Sequence, residues 1–162
     1  MRHGFAAVVC LALVASGCDS GGPGFESPEA AAKGMAEGFS NKDAKMGERL
    51  LPPEDLLKAH FDCPDDKMVK SRQKRLAQWP EELAKAPAGM KMAVGAIDAA
   101  ASKTDTLAKD ADYEGCKVKA PVTIRELKLT LKITVDGKDK DDGETWRFVK
   151  FGDKERWYNF KL

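Results

Sequence analysis

The chain predicts an α+β fold, N-terminal helices packed on a bent antiparallel β-sheet, preceded by a leader and a flexible tether. Three observations carry that prediction. Apolar residues recur at helical spacing as far as Ala86, and they alternate at strand spacing from Cys116 onward. A short apolar run and a glycine-rich stretch precede both regions. The chain divides into a leader at 1–17, a flexible tether at 18–26, and one α+β domain at 27–162, a length that suits a single core.

Arg2 and His3 precede the almost wholly apolar residues 5–15, and Ala15-Ser16-Gly17 places small residues just before Cys18. A charged start, an apolar run of this length and a small-residue cut site describe a secretory signal peptide. The run is too short to span a hydrocarbon core as a helix, which takes about 20 residues. The arrangement resembles a bacterial lipobox, with Ala15 where that motif prefers leucine. The resemblance implies diacylglyceryl transfer to the Cys18 sulfur, removal of residues 1–17, and acylation of the new amino group by a chain such as palmitate. Two acyl chains anchor stably where one binds marginally, at ~0.8 kcal/mol per buried methylene. The other reading is an ordinary signal peptide with a coincidental cysteine. On the lipobox reading the expected address is the bacterial cell envelope, anchored and facing the periplasm. Asp19 after the acceptor resembles an inner-membrane retention signal, and Asp19-Ser20-Gly21-Gly22-Pro23-Gly24 reads as the tether.

Ser27-Pro28 marks a helix start, serine as N-cap and proline in the first turn. Ala31, Met35 and Phe39, with Ala32 and Ala36 beside them, form its core stripe. Asp43 is the expected N-cap of a short helix through Met46 to Leu50 or Leu51, and Pro52-Pro53 stops it. Residues 54–61 read as another short helix with Leu56, Leu57 and Phe61 inward. After Cys63-Pro64, Pro64-Asp65-Asp66 opens a longer helix containing Met68, Arg72, Leu76 and Trp79; Pro80 interrupts it and Ala86-Pro87-Ala88-Gly89 ends it.

The second half changes period. Residues 91–101 permit helix or strand, and strand is the expectation; residues 102–115 read as a polar loop. Val118, Ala120, Val122 and Ile124 then alternate, but Leu127, Leu129, Leu131, Ile133 and Val135 alternate one residue out of phase. A one-residue slip turns every side chain to the other face, so a bulge or bend is expected near Arg125-Glu126. Residues 144–151 and 155–160 complete a meander through Gly152-Asp153-Lys154, rich in aromatic residues that read as core.

Two segments are similar to the nuclear-transport-factor-2-like superfamily in its cystatin-like form. Ser27-Pro28-Glu29-Ala30-Ala31-Ala32-Lys33 with Asn41-Lys42-Asp43-Ala44-Lys45-Met46 resembles its opening helices. The run from Trp146 through Gly152 to Trp157-Tyr158 resembles its closing hairpin. The long helical stretch after Asp65 and the loop at 102–115 depart from the family's spacing. The resemblance implies a cavity between sheet and helices, which in that superfamily serves enzymes and binding proteins alike.

Of four cysteines, Cys10 goes with the leader and Cys18 with the lipid, leaving Cys63 and Cys116 in an oxidising compartment. One disulfide between them is the simplest outcome. Two buried thiols and a metal site with His60 are the alternatives, the latter short of the four ligands zinc usually collects. We expect no metal and no cofactor.

The 27 basic and 26 acidic residues leave the chain nearly neutral, which excludes the electrostatic profile of a nucleic-acid binder. Lys67, Lys70, Arg72, Lys74 and Arg75 cluster on one predicted helix, as a solvated face or as a contact for anionic lipid headgroups. His60 is the only histidine after the leader and thus the weak catalytic candidate, with Asp62 or Asp55 as neighbouring carboxylate. His60 and Asp62 do not face each other on a helix. The expectation is a non-enzymatic binding or interaction module, its partner an envelope protein or a small apolar ligand. The alternative is a cavity acid–base enzyme of the isomerase or dehydratase kind using His60.

Overall fold

Ser27 starts the first helix as its chemistry directs: extended itself, it accepts a hydrogen bond from Ala30 N–H at 3.0 Å, and Pro28 fills the first turn. The computed structural model describes residues 22–152 and 156–160. The leader, Cys10, Cys18, Asp19 and the Asp153-Lys154 turn lie outside them. Within them the chain is α+β, with four α-helices followed by most of seven strands in two antiparallel sheets.

Helix α1 (Pro28–Asn41) buries Ala31, Ala32 and Ala36, as its stripe predicts, and half-buries Met35 and Phe39. Gly24 and Phe25, assigned above to the tether, belong to the folded unit: both are buried, and Phe25 forms a β-bridge with Trp157. Helix α2 (Met46–Leu50) follows. Asp43 is not its N-cap; its carboxylate accepts from Lys45 N–H and shapes the turn ahead of the helix. Helix α3 (Glu54–His60) stops one residue short of the expected end, because Phe61 enters strand β1 (Phe61–Asp62) with its ring buried.

A 3₁₀ turn (Pro64–Asp66), with Asp65 and Asp66 in left-handed conformation, leads into α4 (Lys67–Lys85). Pro80 does not interrupt α4. Its ring is exposed, while Trp79 and Leu83 on the buried face hold the helix on both sides of it. Trp79 is seated against Gly38 and Gly47, where a Cβ would stand 3.2 and 3.0 Å from the indole. Its Nε1–H donates to Asp43 O at 2.9 Å, and its ring lies edge-on to Phe39 with centroids 4.7 Å apart.

Residues 91–101 are strand as expected, but the strand does not end there: β2 runs Lys91–Leu107. The segment at 102–115 is therefore not one loop. Its first residues extend β2, and β3 (Asp112–Tyr113) pairs with β4 (Cys116–Val118), which pairs with β1. The larger sheet adds β5 (Val122–Val135), β6 (Lys138–Phe151) and β7 (Trp157–Asn159) in the order β2-β5-β6-β7.

The phase change at Arg125-Glu126 is real, but β5 itself does not bulge against β6. These two pair without a break from Val122↔Phe151 to Val135↔Lys138. The irregularity lies in β2, where register shifts between Val94 and Ile97 and between Asp98 and Lys103. Asp98 accepts from Ala101 N–H, and Ser102 Oγ accepts from Lys128 N–H, so side chains fill the broken ladder.

An unbroken β5 puts Val122 and Ile124 on the opposite face from Leu127, Leu129 and Leu131. Each set has its own core. One gathers Val122, Ile124, Val149 and Phe151 with Leu57, Phe61, Met68 and Cys116. The other gathers Leu127, Leu129, Leu131 and Phe148 with Phe25, Ala31, Trp79 and Leu83. Helix α4 serves both, through Met68 and Val69 at its start and Trp79 and Leu83 near its end. Cys63 and Cys116 form a disulfide that ties the turn before α4 to β4. Its 53-residue separation gives a stabilisation of about 4 kcal/mol in the chain-entropy view.

Candidate functional site

Beside the second core lies a groove of about 510 Å³ between α1, α4 and the sheet, lined also by residues of β6. Its floor is apolar. Leu131 and Ile133 of β5 and Met92 of β2 supply it from the sheet, and Phe39 and Trp79 close it from the helices. These sheet residues share a face because Met92 pairs with Ile133, which pairs with Lys140, while Leu131 pairs with Asp142. Ser40 fixes the near end of β2, its Oγ accepting from Met92 N–H at 2.7 Å.

The wall is charged. Arg147 of β6 sits directly across from Glu126 of β5 and donates to Glu126 Oε1 from Nη2 at 2.7 Å and Nε at 3.1 Å. Its Nη1 reaches Tyr113 Oη at 3.2 Å and lies 3.7 Å from Glu114. The Glu126 hydrogen bond stabilises the charged guanidinium and raises its pKa further. Burial raises the Tyr113 phenol above its ordinary value, and the neighbouring Arg147 charge opposes that without cancelling it. The phenol is therefore a neutral hydrogen-bonding group at physiological pH. Arg147 and Glu126 also line a second cavity of about 320 Å³ with Tyr113 and Ile124, so the ion pair stands between two cavities.

His60 is elsewhere. Its Nδ1 lies 2.9 Å from the Leu56 carbonyl and its ring rests against Phe151, centroids 4.9 Å apart. It lines none of the five cavities described. Asp62 and Asp55 are exposed, and no hydrogen bond joins either to His60 among the described residues. The structure does not bring the three together as a catalytic set. Nor is any group of three or more His, Cys, Asp or Glu placed to hold a metal among those residues.

The basic cluster on α4 splits into two roles. Lys70 and Lys74 are exposed, whereas Arg72 is not part of a solvated face. Its side chain is 12 % exposed, and it donates to Pro52 O at 2.8 Å and to Glu48 at 2.7 Å, clamping α4 to α2 and the segment that follows it. Of the closing aromatics, Phe148, Phe151, Tyr158 and Phe160 are core, as expected, while Trp146 is half-buried at the groove.

Sequence reasoning passed over Glu126, Arg147 and Tyr113 as a group. The available signal was a charged residue at the point where the alternation of β5 changes phase, and another at the matching place in β6. Comparison with known proteins finds no family model, no curated protein and no solved structure that matches the chain.

Proposed function

We propose that this is a lipid-anchored protein of the bacterial cell envelope, held through Cys18 and facing the periplasm, whose α+β domain binds rather than catalyses. The groove carries that reading: apolar floor, ion-paired wall, and a position away from the only histidine of the domain. Its size and lining suit an apolar group presented by a small molecule or by another envelope protein. The Cys63–Cys116 bridge supports an oxidising compartment. The fold begins at Gly24, six residues after Cys18, and backbone of that length reaches at most about 20 Å. The domain is then held close to its membrane, and Asp19 favours the inner one. Helix α1 packed across the sheet and the β6–β7 hairpin support a cystatin-like arrangement.

Two experiments test this. Cys18→Ala is expected to abolish labelling by a tagged fatty acid and to leave the precursor uncut; unchanged processing and membrane retention would contradict the anchor. Titration of the mature chain with Nile red should show saturable binding that Ile133→Asp abolishes and His60→Ala leaves intact. Binding indifferent to Ile133→Asp, or a turnover lost with His60→Ala in a folded protein, would defeat the binding reading.

A further inference from the structure

The groove is bounded on one side by a strand that has lost its partner. Strand β6 pairs with β5 along its whole length, but β7 covers only Phe148, Val149 and Lys150 on the other side, and Phe160 N–H adds one bond to Arg147 O. Among the described residues, nothing pairs with the outer backbone of β6 over 138–144. An exposed row of N–H and C=O groups is a template for another extended chain.

The side chains of the same stretch enter the groove. Asp142 stands opposite Leu131 and Glu144 opposite Leu129, so both share the face of the apolar floor. A strand added to β6 would lie about 4.8 Å beyond it and send alternate side chains over that floor, beside Trp146.

Charge selects the occupant. Glu82, Glu114, Glu126, Asp142 and Glu144 line the groove against Arg75 and Arg147. Both arginines already face carboxylates, Arg75 with Glu82 and Arg147 with Glu126, and Asp142 faces Lys140 at 3.5 Å. Glu144 has no ion-pair partner among the described residues. A second copy of this chain is a poor fit. Its own edge, Lys138-Asp139-Lys140-Asp141-Asp142-Gly143-Glu144, has four acids to two lysines and would add net negative charge to an acidic groove.

We infer that the groove takes an extended, cationic peptide segment of a partner protein, which adds to the outer edge of β6 and places apolar and basic side chains, drawn from every second position of the segment, against Trp146 and Glu144. This rests on the groove being the binding site.

The test uses the mature chain and a labelled seven-residue peptide, Lys-Thr-Val-Thr-Lys-Thr-Val, whose lysines and valines share one face of a strand, read by fluorescence anisotropy. Saturable binding is expected, weakened about tenfold by the substitutions Asp142→Asn and Glu144→Gln together. The same peptide with glutamate in place of lysine should not bind. Backbone N-methylation of one alternate set of residues should abolish binding, and methylation of the other set should leave it, because only every second N–H of an added strand faces its neighbour. Equal binding of both methylated peptides, or equal binding of the glutamate peptide, overturns strand addition. So does no binding up to about 1 mM, the weak limit of recognition. A concentration-dependent dimer with 138–144 protected from hydrogen exchange would give the edge to a second copy and also overturn it. Nile red separates the levels: dye bound without peptide leaves the groove reading standing, and neither bound removes both.

Discussion

The ring of Phe25 occupies the space that a side chain at position 34 would need. A Cβ built on Gly34 would stand 2.6 Å from Phe25 Cζ, closer than real Cβ atoms come. That absence of a side chain lets the segment before α1 cross the helix and bridge to Trp157. Gly34→Ala should gain about 1 kcal/mol in helix propensity and lose more than that to overpacking, which costs about 1–3 kcal/mol. The expected outcome is a net loss of stability in urea unfolding that disappears in a Phe25→Ala background. Equal effects in both backgrounds would break the proposed relationship.

The Cys63–Cys116 bridge should contribute about 4 kcal/mol, within the 2–5 kcal/mol usual for native disulfides. Urea midpoints with and without reductant, and for a Cys63→Ser/Cys116→Ser pair, measure it. A shift of less than about 1 kcal/mol would mean that the unfolded chain gains little freedom from reduction.

Arg72 holds Pro52 O, Glu48 and Glu54 from a nearly buried position. Hydrogen bonds made by charged groups contribute about 1.5–3 kcal/mol, and the fork geometry belongs to guanidinium alone. Arg72→Met should cost in that range, and Arg72→Lys should recover only part of it. Full recovery by lysine would reduce the clamp to simple charge.

Burial raises the phenols of Tyr113 and Tyr158 above their ordinary value of 10.0. In the window between that value and the raised one, the folded state holds protons the unfolded state has released. Stability from these groups is complete below pH 10 and falls as pH rises through the folded values. Tyr158→Phe should make the alkaline decline shallower without changing its sign, as urea unfolding across that range will show. An unchanged slope would mean that Tyr158 does not titrate with unfolding.

The helices before Ala86 could be read from local chemistry. Ser27 and Pro28 cap, the alanines of α1 set a face, and Pro52-Pro53 stops α2, all within one or two turns of chain. The limits of that reasoning appear at Pro80 and at Ser102. Proline is costly inside a helix, yet contacts of Trp79 and Leu83 with distant residues hold α4 through it. Residues 102–107 carry no apolar alternation, yet pairing with residues 122–126 makes them strand. Neither partner lies nearby in sequence.

By itself the sequence determined the α+β class, the cysteine pair and the existence of two apolar phases in β5, because composition, period and count are local properties. Only the tertiary structure decided that the two phases serve two cores on opposite faces, with the compensating bulges in β2. It also decided that His60 stands away from the groove and that Glu126, Arg147 and Tyr113 meet at its wall. Those outcomes depend on the register between strands many residues apart, and register is a property of the pair rather than of either strand.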